Sequence, residues 1–384
     1  MIDLFKPVRM AMIGGGNGAL IGPVHRIASQ LDSRIALVAG AFSSKADQSR
    51  ETGRQWGIAD DRAYADWQSL LRAEAARPDG AELIAIVTPN DLHYPIAVAA
   101  LEAGFHVMSD KPATTTLEEA LRLQEAIARC DRRYGLTYTY SGYPLVRQAR
   151  EMIAAGEIGT VRKVVVEYVQ GWLSSAVEAE GSKQAQWRVD PARSGPGGCI
   201  GDIGVHAFHL AEFVTGSTVS RLLADLAAVV PGRVLDDDCT VLLKFDNGAR
   251  GVIVASQISI GELNGLRLRV YGDKGSLDWR QEEPNRLTWH KDDGRTEILR
   301  TGTPPIGPSG AAATRIPGGH PEGYLEAFAN IYRDFADSLR EGVPSALVPG
   351  IEDGVRSLAF VEAAVTASRT ASGWVSLEHQ DVPA

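Results

Sequence analysis

MIGGGNGALIG, residues 12–22, is the stretch on which the fold turns. It continues VRMAMIG (8–14), a short apolar run that reads as a buried strand. It leads into PVHRIASQL (23–31), a helical segment that opens on proline. Gly14-x-Gly16-x-x-Ala19 fits the dinucleotide spacing G-x-G-x-x-A, with Asn17 inside it and Gly15, Gly18 and Gly22 adding freedom. The requirement is steric: the backbone must turn tightly and let a pyrophosphate approach, while the following helix offers N–H donors and a partial positive charge. A glycine-rich turn can also be only a turn, so the flanking sequence must decide.

Outward from this turn, strand-like runs alternate with helical ones. RIALVAGAF (34–42), AELIAIVTP (81–89), FHVMSDKP (105–112) and RYGLTYTYS (133–141) read as strands. KADQSRETGRQWG (45–57), WQSLLRAEAAR (67–77), HYPIAVAALEAG (93–104) and LEEALRLQEAIARC (117–130) read as helices. The alternation predicts an α/β Rossmann domain: a parallel sheet, helices on both faces and ligands at the carboxyl ends of the strands.

After residue 141 the pattern changes. A helix, PLVRQAREMIAAGEIG (144–159), precedes β-branched stretches at 161–172, 239–259, 266–279 and 285–299, with Asn247-Gly248 and Asp293-Gly294 as hairpin signals. The reading is two domains, 1–141 and 142–384, the second of α+β type with a large, mostly antiparallel sheet. GTPPIGPSGAAATRIPGG (302–319) reads as an extended loop, and two helices close the chain as candidates to return to the first domain.

Composition bounds the function. The 384 residues are 44% hydrophobic and 23% charged, enough apolar material for two cores without metal or disulfide staples. A net charge of −9 and the lack of a basic run argue against nucleic acid as partner. Cys130, Cys199 and Cys239, odd in number and far apart, fit a reducing cytoplasm. The N-terminal stretch lacks the pattern of an export signal, and no run approaches the ~20 apolar residues that span a bilayer.

Four polar clusters stand where chemistry is expected. The second strand ends at Phe42, where an acid would bind a ribose hydroxyl; Ser43, Ser44 and Lys45 follow, leaving NAD and NADP both open. TPNDLH (88–93) sets Thr88, Asn90 and His93 after a strand, as cofactor contacts or as a simple helix cap. SDKP (109–112) places Asp110 and Lys111 at the next strand end, where the following proline holds Lys111 extended and aims its ammonium; a surface ion pair is the alternative. GGCIGDIGVHAFHLAEF (197–213), read as a helix, puts Asp202, His206 and His209 at i, i+4 and i+7 on one face. That face reads as a metal site, a buried network or a set of proton-handling groups.

Together GGGNGA, TPNDLH, DKP and WRVDPARSGPGGCIGDIGVH resemble the glucose–fructose oxidoreductase/inositol dehydrogenase (Gfo/Idh/MocA) family over nearly the whole chain. Asp110 departs from the glutamate usual before the lysine, and His209 stands where many members carry an aspartate. The resemblance implies an NAD(P)-dependent enzyme that moves hydride to or from a secondary hydroxyl of a sugar, anhydrosugar or cyclic polyol. Lys111 and Asp202 would orient and polarise the oxygen and His206 would carry its proton, with no metal. GGGNGALIGPVHR, GAFSS and HPEGYLEAFANIYRDF are similar to the levoglucosan dehydrogenase-like sugar 3-dehydrogenases. This likeness implies that Tyr140, Tyr143, Trp172, Trp187, His209, His320 and Tyr324 approach the substrate, aromatic rings stacking on sugar C–H faces. It also implies a homodimer or homotetramer formed through the C-terminal sheet. An inositol-type dehydrogenase and a non-catalytic dinucleotide sensor are the alternatives.

Overall fold

The computed structural model describes residues 6–377; Met1–Phe5, where the stretch read for a leader begins, lie outside them. Along the chain run β1 (Val8–Gly14), α1 (Gly22–Gln30), β2 (Ile35–Ala41), α2 (Ala46–Gln55), α3 (Trp67–Ala76), β3 (Leu83–Val87), α4 (His93–Glu102), β4 (His106–Ser109), α5 (Leu117–Ala128) and β5 (Tyr134–Leu136). There follow α6 (Pro144–Ala154), β6 (Val161–Val169), α7 (Lys183–Arg188), α8 (Pro191–Ser194), a π-helical turn (Ile200–Gly204) and α9 (Val205–Thr215). Then come β7 (Val219–Ala227), β8 (Asp238–Phe245), β9 (Arg250–Ser256), β10 (Gly265–Gly272), β11 (Gly275–Arg280), β12 (Arg286–Lys291) and β13 (Thr296–Arg300). The chain ends in α10 (Pro308–Ala312), α11 (Tyr324–Glu341), α12 (Ile351–Thr370) and β14 (Val375–Ser376).

The chain divides into two compact units. Among the described residues, one comprises 6–142 and 324–355, the other 143–323 and 356–377. The segment 324–355 therefore groups with the glycine-turn unit rather than with the sequence around it. It does so through α11, which packs on α1 and whose Phe328, Ile331, Tyr332 and Phe335 enter the core with Met10, Met12 and Val87.

In the first unit five parallel strands lie in the order β2-β1-β3-β4-β5. The chain moves to one side of β1 and then to the other, so the crevice for a ligand opens at the carboxyl ends of β1 and β3. All five residues of β3 are buried, as expected for a strand covered on both faces. The strand expected over 133–141 is only Tyr134–Leu136; Thr139–Gly142 turns as a 3₁₀ helix.

In the second unit nine strands lie in the order β13-β12-β11-β10-β6-β9-β8-β7-β14, with only the β6–β9 pair parallel. Ala224, Val241, Ile253, Val166, Leu268, Trp279, Leu287 and Leu299 form one buried row across eight strands, on a sheet packed by α6 and α9. One residue away, the opposite face carries Leu223, Leu242, Val252 and Val165 in register, then Arg269, Asp278, Thr288 and Ile298. Leu242 and Ile298 there are 41% and 40% exposed. The loop expected at 302–319 contains a short helix, α10, whose start is tied to Gln148 and Glu151 of α6 through the Gly307 and Ser309 N–H groups. No helix among the described residues is long and apolar enough to cross a membrane.

One half-buried histidine gives the first unit a pH signature. His106 opens β4, and its Nδ1 accepts from the Arg133 N–H at 3.0 Å. Burial, helped by the Arg132 and Arg133 charges, pushes its pKa down to about 4. The unfolded chain therefore binds a proton near pH 6.5 that the folded chain refuses until pH 4, so stability is lost as pH falls through this window. We expect a loss of about 1–2 kcal/mol, screening by solvent included. His106→Asn keeps the acceptor without the titration and should flatten the fall in melting temperature between pH 6.5 and 4. Parallel curves for the two proteins would contradict this.

Candidate active site

At the β1–α1 turn Gly14 and Gly18 adopt φ of +84° and +86°. A β-carbon on Gly14 would overlap the Val87 carbonyl, and one on Gly22 the Gly15 carbonyl, so the close approach itself demands glycine. Gly16 N–H donates to the Phe42 carbonyl at 3.0 Å and Ala19 N–H to the Gly16 carbonyl at 2.9 Å. Asn17 is tied to α2 through Thr52 Oγ1 and Gln55 Oε1, at 3.2 and 3.0 Å. Helix α1 begins at Ile21 with no side-chain cap. Its first N–H groups thus face the turn without a competing side-chain acceptor.

The end of β2 carries no acid. Phe42 is buried against Trp56, centroids 4.9 Å apart. Ser43 Oγ donates to Gln48 and accepts from the Lys45 N–H, while Ser44 and Lys45 are exposed at the start of α2.

After β3, neither Pro89 nor Leu92, the residues at the two helix starts there, makes a side-chain cap, and Asn90 opens the 3₁₀ turn. Thr88 Oγ1 is buried with no hydrogen-bond partner, and the Thr88 methyl group lies 2.9 Å from where a Gly14 β-carbon would go. His93 corrects the reading of a cofactor contact. It is 1% exposed, and its nitrogens meet the Pro112 carbonyl at 2.7 Å and the Thr88 carbonyl at 3.0 Å. The imidazole braces the ends of β3 and β4 against each other.

At the end of β4, Asp110 Oδ1 accepts from the Lys111 N–H and from Thr137 Oγ1, both at 2.9 Å. Oδ2 faces His25 Nε2 at 3.8 Å. Burial pulls the carboxyl pKa up, but the His25 interaction and the charges of His25, Lys111 and His93 outweigh it and hold the group well below the usual carboxylate range. Asp110 is therefore ionised, and its oxygens face groups of this unit. Lys111 is half-buried. Tyr140 and Tyr324 come together here, rings 6.4 Å apart, with Tyr324 edge-on to Phe328.

In the second unit the helix read over 197–213 is interrupted. Val205 N–H reaches back five residues to the Ile200 carbonyl, which defines the π turn Ile200–Gly204. The turn is pinned by Asp236, whose two oxygens accept from the Gly198 and Ile200 N–H groups at 2.7 Å each. Asp202 therefore lies in the wider turn, and His206 and His209 in the regular helix that follows it. Asp202 Oδ2 accepts from Arg188 Nε at 3.0 Å and from Gln257 Nε2 at 2.9 Å. His206 lies beside Tyr168, ring centroids 6.1 Å apart. His209 is 4% exposed and stacked on Phe213. The Arg188 guanidinium lies 4.1 Å from the Trp187 ring centre and 5.7 Å from that of Trp172. Both indoles called as substrate contacts thus flank a cation that the sequence reading passed over.

Of two further residues read as substrate contacts, one is placed otherwise. Tyr143 is core, packed on Trp279, with its hydroxyl accepting from Gln281 Nε2 at 3.2 Å. His320 is exposed, with Nδ1 on the Pro317 carbonyl at 3.1 Å. Among the described residues, the ligand-type atoms within 4.8 Å of one another belong to Cys199, Asp236 and Cys239, and not to Asp202, His206 and His209. Burial, and then Cys239 beside it, pushes the Cys199 thiol up.

The first unit fits a dinucleotide: a glycine cradle, an uncapped helix start and an unpartnered buried hydroxyl meet at the switch point of the sheet. Residues 8–138 match the NAD-binding Rossmann fold of an oxidoreductase family, and residues 146–278 match the GFO/IDH/MocA C-terminal domain. An inositol dehydrogenase homologue from Azotobacter vinelandii has been solved with NAD⁺ and with NADH and myo-inositol. The NAD⁺ complex is 38% identical at a TM-score of 0.92, covering 98% of this chain and 100% of that one. The myo-inositol complex is 37% identical at 0.89, covering 97% and 98%. The uncharacterised oxidoreductase YfiI of Bacillus subtilis is 34% identical over 97% of this chain and 98% of its own. The levoglucosan dehydrogenase of Pseudarthrobacter phenanthrenivorans is 26% identical over 96% and 98%. Fold, site and likenesses define an NAD-dependent oxidoreductase acting on sugar or polyol hydroxyls. The chain belongs to the GFO/IDH/MocA family.

The Arg188–Asp202 pair carries a prediction. Arg188→Met keeps the stem between the indoles and removes the charged donor. A hydrogen bond to a charged group contributes about 1.5–3 kcal/mol, so kcat/KM should fall roughly 10–10²-fold. Unchanged kinetics would show that Asp202 does not depend on Arg188.

Proposed function

We propose that this enzyme oxidises a secondary hydroxyl of a cyclic polyol of the inositol class, with NAD in preference to NADP. The observation that carries the reading is the likeness to the homologue solved with NADH and myo-inositol, at 37% identity over nearly the full chain. Lys111 donates to the reacting oxygen and stabilises its alkoxide character. Asp202, held by Arg188 and Gln257, orients the hydroxyl, and His206 accepts its proton. Gly14, Gly16, Asn17 and Ala19 would hold NAD⁺ at the glycine turn, where it would supply the hydride acceptor for conversion of the alcohol to a ketone. Thr88, Asn90 and Asp110 shape the neighbouring strand ends. Trp172, at 38% exposure, offers an indole face to ring C–H groups, as do Trp187, Tyr140 and Tyr324.

NAD is supported by the NAD⁺ and NADH found in the homologue, and by the lack of an arginine among the residues directly after β2. Without an acid there, Ser43, Ser44 and Lys45 give only a modest preference. Levoglucosan is the second substrate to test, on the strength of the full-length match to that dehydrogenase. The three free cysteines and the nicotinamide chemistry support work in the cytoplasm.

Absorbance at 340 nm with NAD⁺ and a panel of inositols, levoglucosan and simple sugars tests the reading. Reduction with myo-inositol or a close isomer is expected; inertness across the panel despite tight NADH binding would make the chain a sensor. Lys111→Ala should abolish reduction and leave NADH affinity within a few-fold. His206→Ala should lower kcat by about 10²–10⁴-fold, the worth of a positioned general base. Equal losses of affinity and turnover in the lysine variant, or normal turnover in the histidine variant, would remove those roles.

For assembly, the reading is a homodimer or homotetramer joined through the outer face of the nine-stranded sheet. The in-register Leu223, Leu242, Val252 and Val165 support a second copy as occupant. Light scattering should give a multiple of 41.2 kDa for the native chain. Leu242→Glu should lower that mass; an unchanged mass would move the interface elsewhere.

A further inference from the structure

His25 lies on α1, one turn beyond the glycine cradle, and is 0% exposed. A histidine without a solvent contact must satisfy both ring nitrogens inside the protein. Nδ1 meets the Tyr332 hydroxyl of α11 at 2.7 Å. Nε2 has no hydrogen-bond partner, and the charged group it faces is the Asp110 carboxylate, 3.8 Å away. Tyr332 is also fully buried, and burial together with the Asp110 charge pushes its phenol pKa up, so the hydroxyl that meets Nδ1 keeps its proton. The Asp110 carboxylate can only accept, so it selects a ring proton on Nε2 and leaves Nδ1 to the Tyr332 hydroxyl. Asp110 in turn accepts from the Lys111 backbone N–H and from Thr137 Oγ1.

We propose that Tyr332 and His25 are positioning residues for Lys111: the Tyr332–His25–Asp110 chain holds the carboxylate to which the Lys111 backbone is hydrogen-bonded. By this route the helix that begins at the cofactor turn fixes the residue assigned to polarise the substrate oxygen. The proposal deepens that assignment and rests on it for its kinetic arm alone.

Two substitutions separate the two ring nitrogens. His25→Asn places its amide near Nδ1, keeping the tie to Tyr332 and losing the donor toward Asp110. His25→Gln reaches the position of Nε2 and restores that donor. Tyr332→Phe removes the hydroxyl that anchors Nδ1 and changes little volume. The first arm needs no substrate: reductive methylation of the full chain, read at Lys111 by mass spectrometry. Lys111 should label several-fold faster in His25→Asn and faster in Tyr332→Phe, with His25→Gln close to the native rate. The second arm is kcat with the polyol that the native enzyme oxidises. Misplacement of a catalytic group by about 1 Å costs up to ~10²-fold, so His25→Asn should lose roughly 10- to 10²-fold. His25→Gln should recover to within a few-fold, and NADH affinity should stay unchanged. A purely structural His25 would lower the melting temperature of all three variants and leave Lys111 labelling and kcat per folded molecule at native values, which overturns the proposal. Equal effects of Asn and Gln overturn it too. Should no polyol be oxidised by the native chain, the reading of function fails and the labelling arm still decides this one.

Discussion

The backbone passes itself at Gly15 and Gly22 so closely that no β-carbon fits, and the first unit is arranged around that approach. It brings the start of α1 back over the end of β1, between β2 and β3, where the sheet changes direction of travel. The same crowding at Gly14 sets the turn against Val87 and Thr88 at the end of β3. An uncapped helix start and a buried hydroxyl thereby face one crevice. Substituting either glycine would force the turn outward and separate these groups, whatever became of the rest of the sheet.

Half-buried carboxylates do the local organising in both units. Asp110 gathers a backbone N–H, a threonine hydroxyl and a histidine at the end of β4. Asp236 gathers two backbone N–H groups and so permits the π turn that carries Asp202. Asp202 itself receives a guanidinium and an amide on one oxygen. In each case donors keep an acid where it is, and the groups proposed for the chemistry stand near in sequence: Lys111 beside Asp110, and His206 four residues after Asp202.

Local signals made much of this legible in the chain. The strand–glycine–helix order, the Asp-Lys-Pro strand end and the hairpin dipeptides each depend on a few adjacent residues, and they led to the Rossmann domain, to Lys111 and to the antiparallel sheet. What escaped depends on distant partners. The π turn needs Asp236, 36 residues from Ile200, so a regular helix was the natural reading of 197–213. His93 looked like a ligand because its partner, the Pro112 carbonyl, is 19 residues away. The His25–Tyr332 contact spans 307 residues and carries no motif at all. Arg188 was signalled only by the adjacency of Trp187, and its role emerges from the cation lying between two indoles beside an acid.

The central claim is direct hydride transfer from a polyol carbon to the nicotinamide held at the glycine turn. Supplying myo-inositol deuterated at every carbon, with NAD⁺, and weighing the reduced cofactor tests it most directly. One deuterium per NADH formed, with turnover slowed relative to the unlabelled polyol, is the outcome this account predicts. Reduced cofactor without deuterium, or none at all with any cyclic polyol, would contradict it.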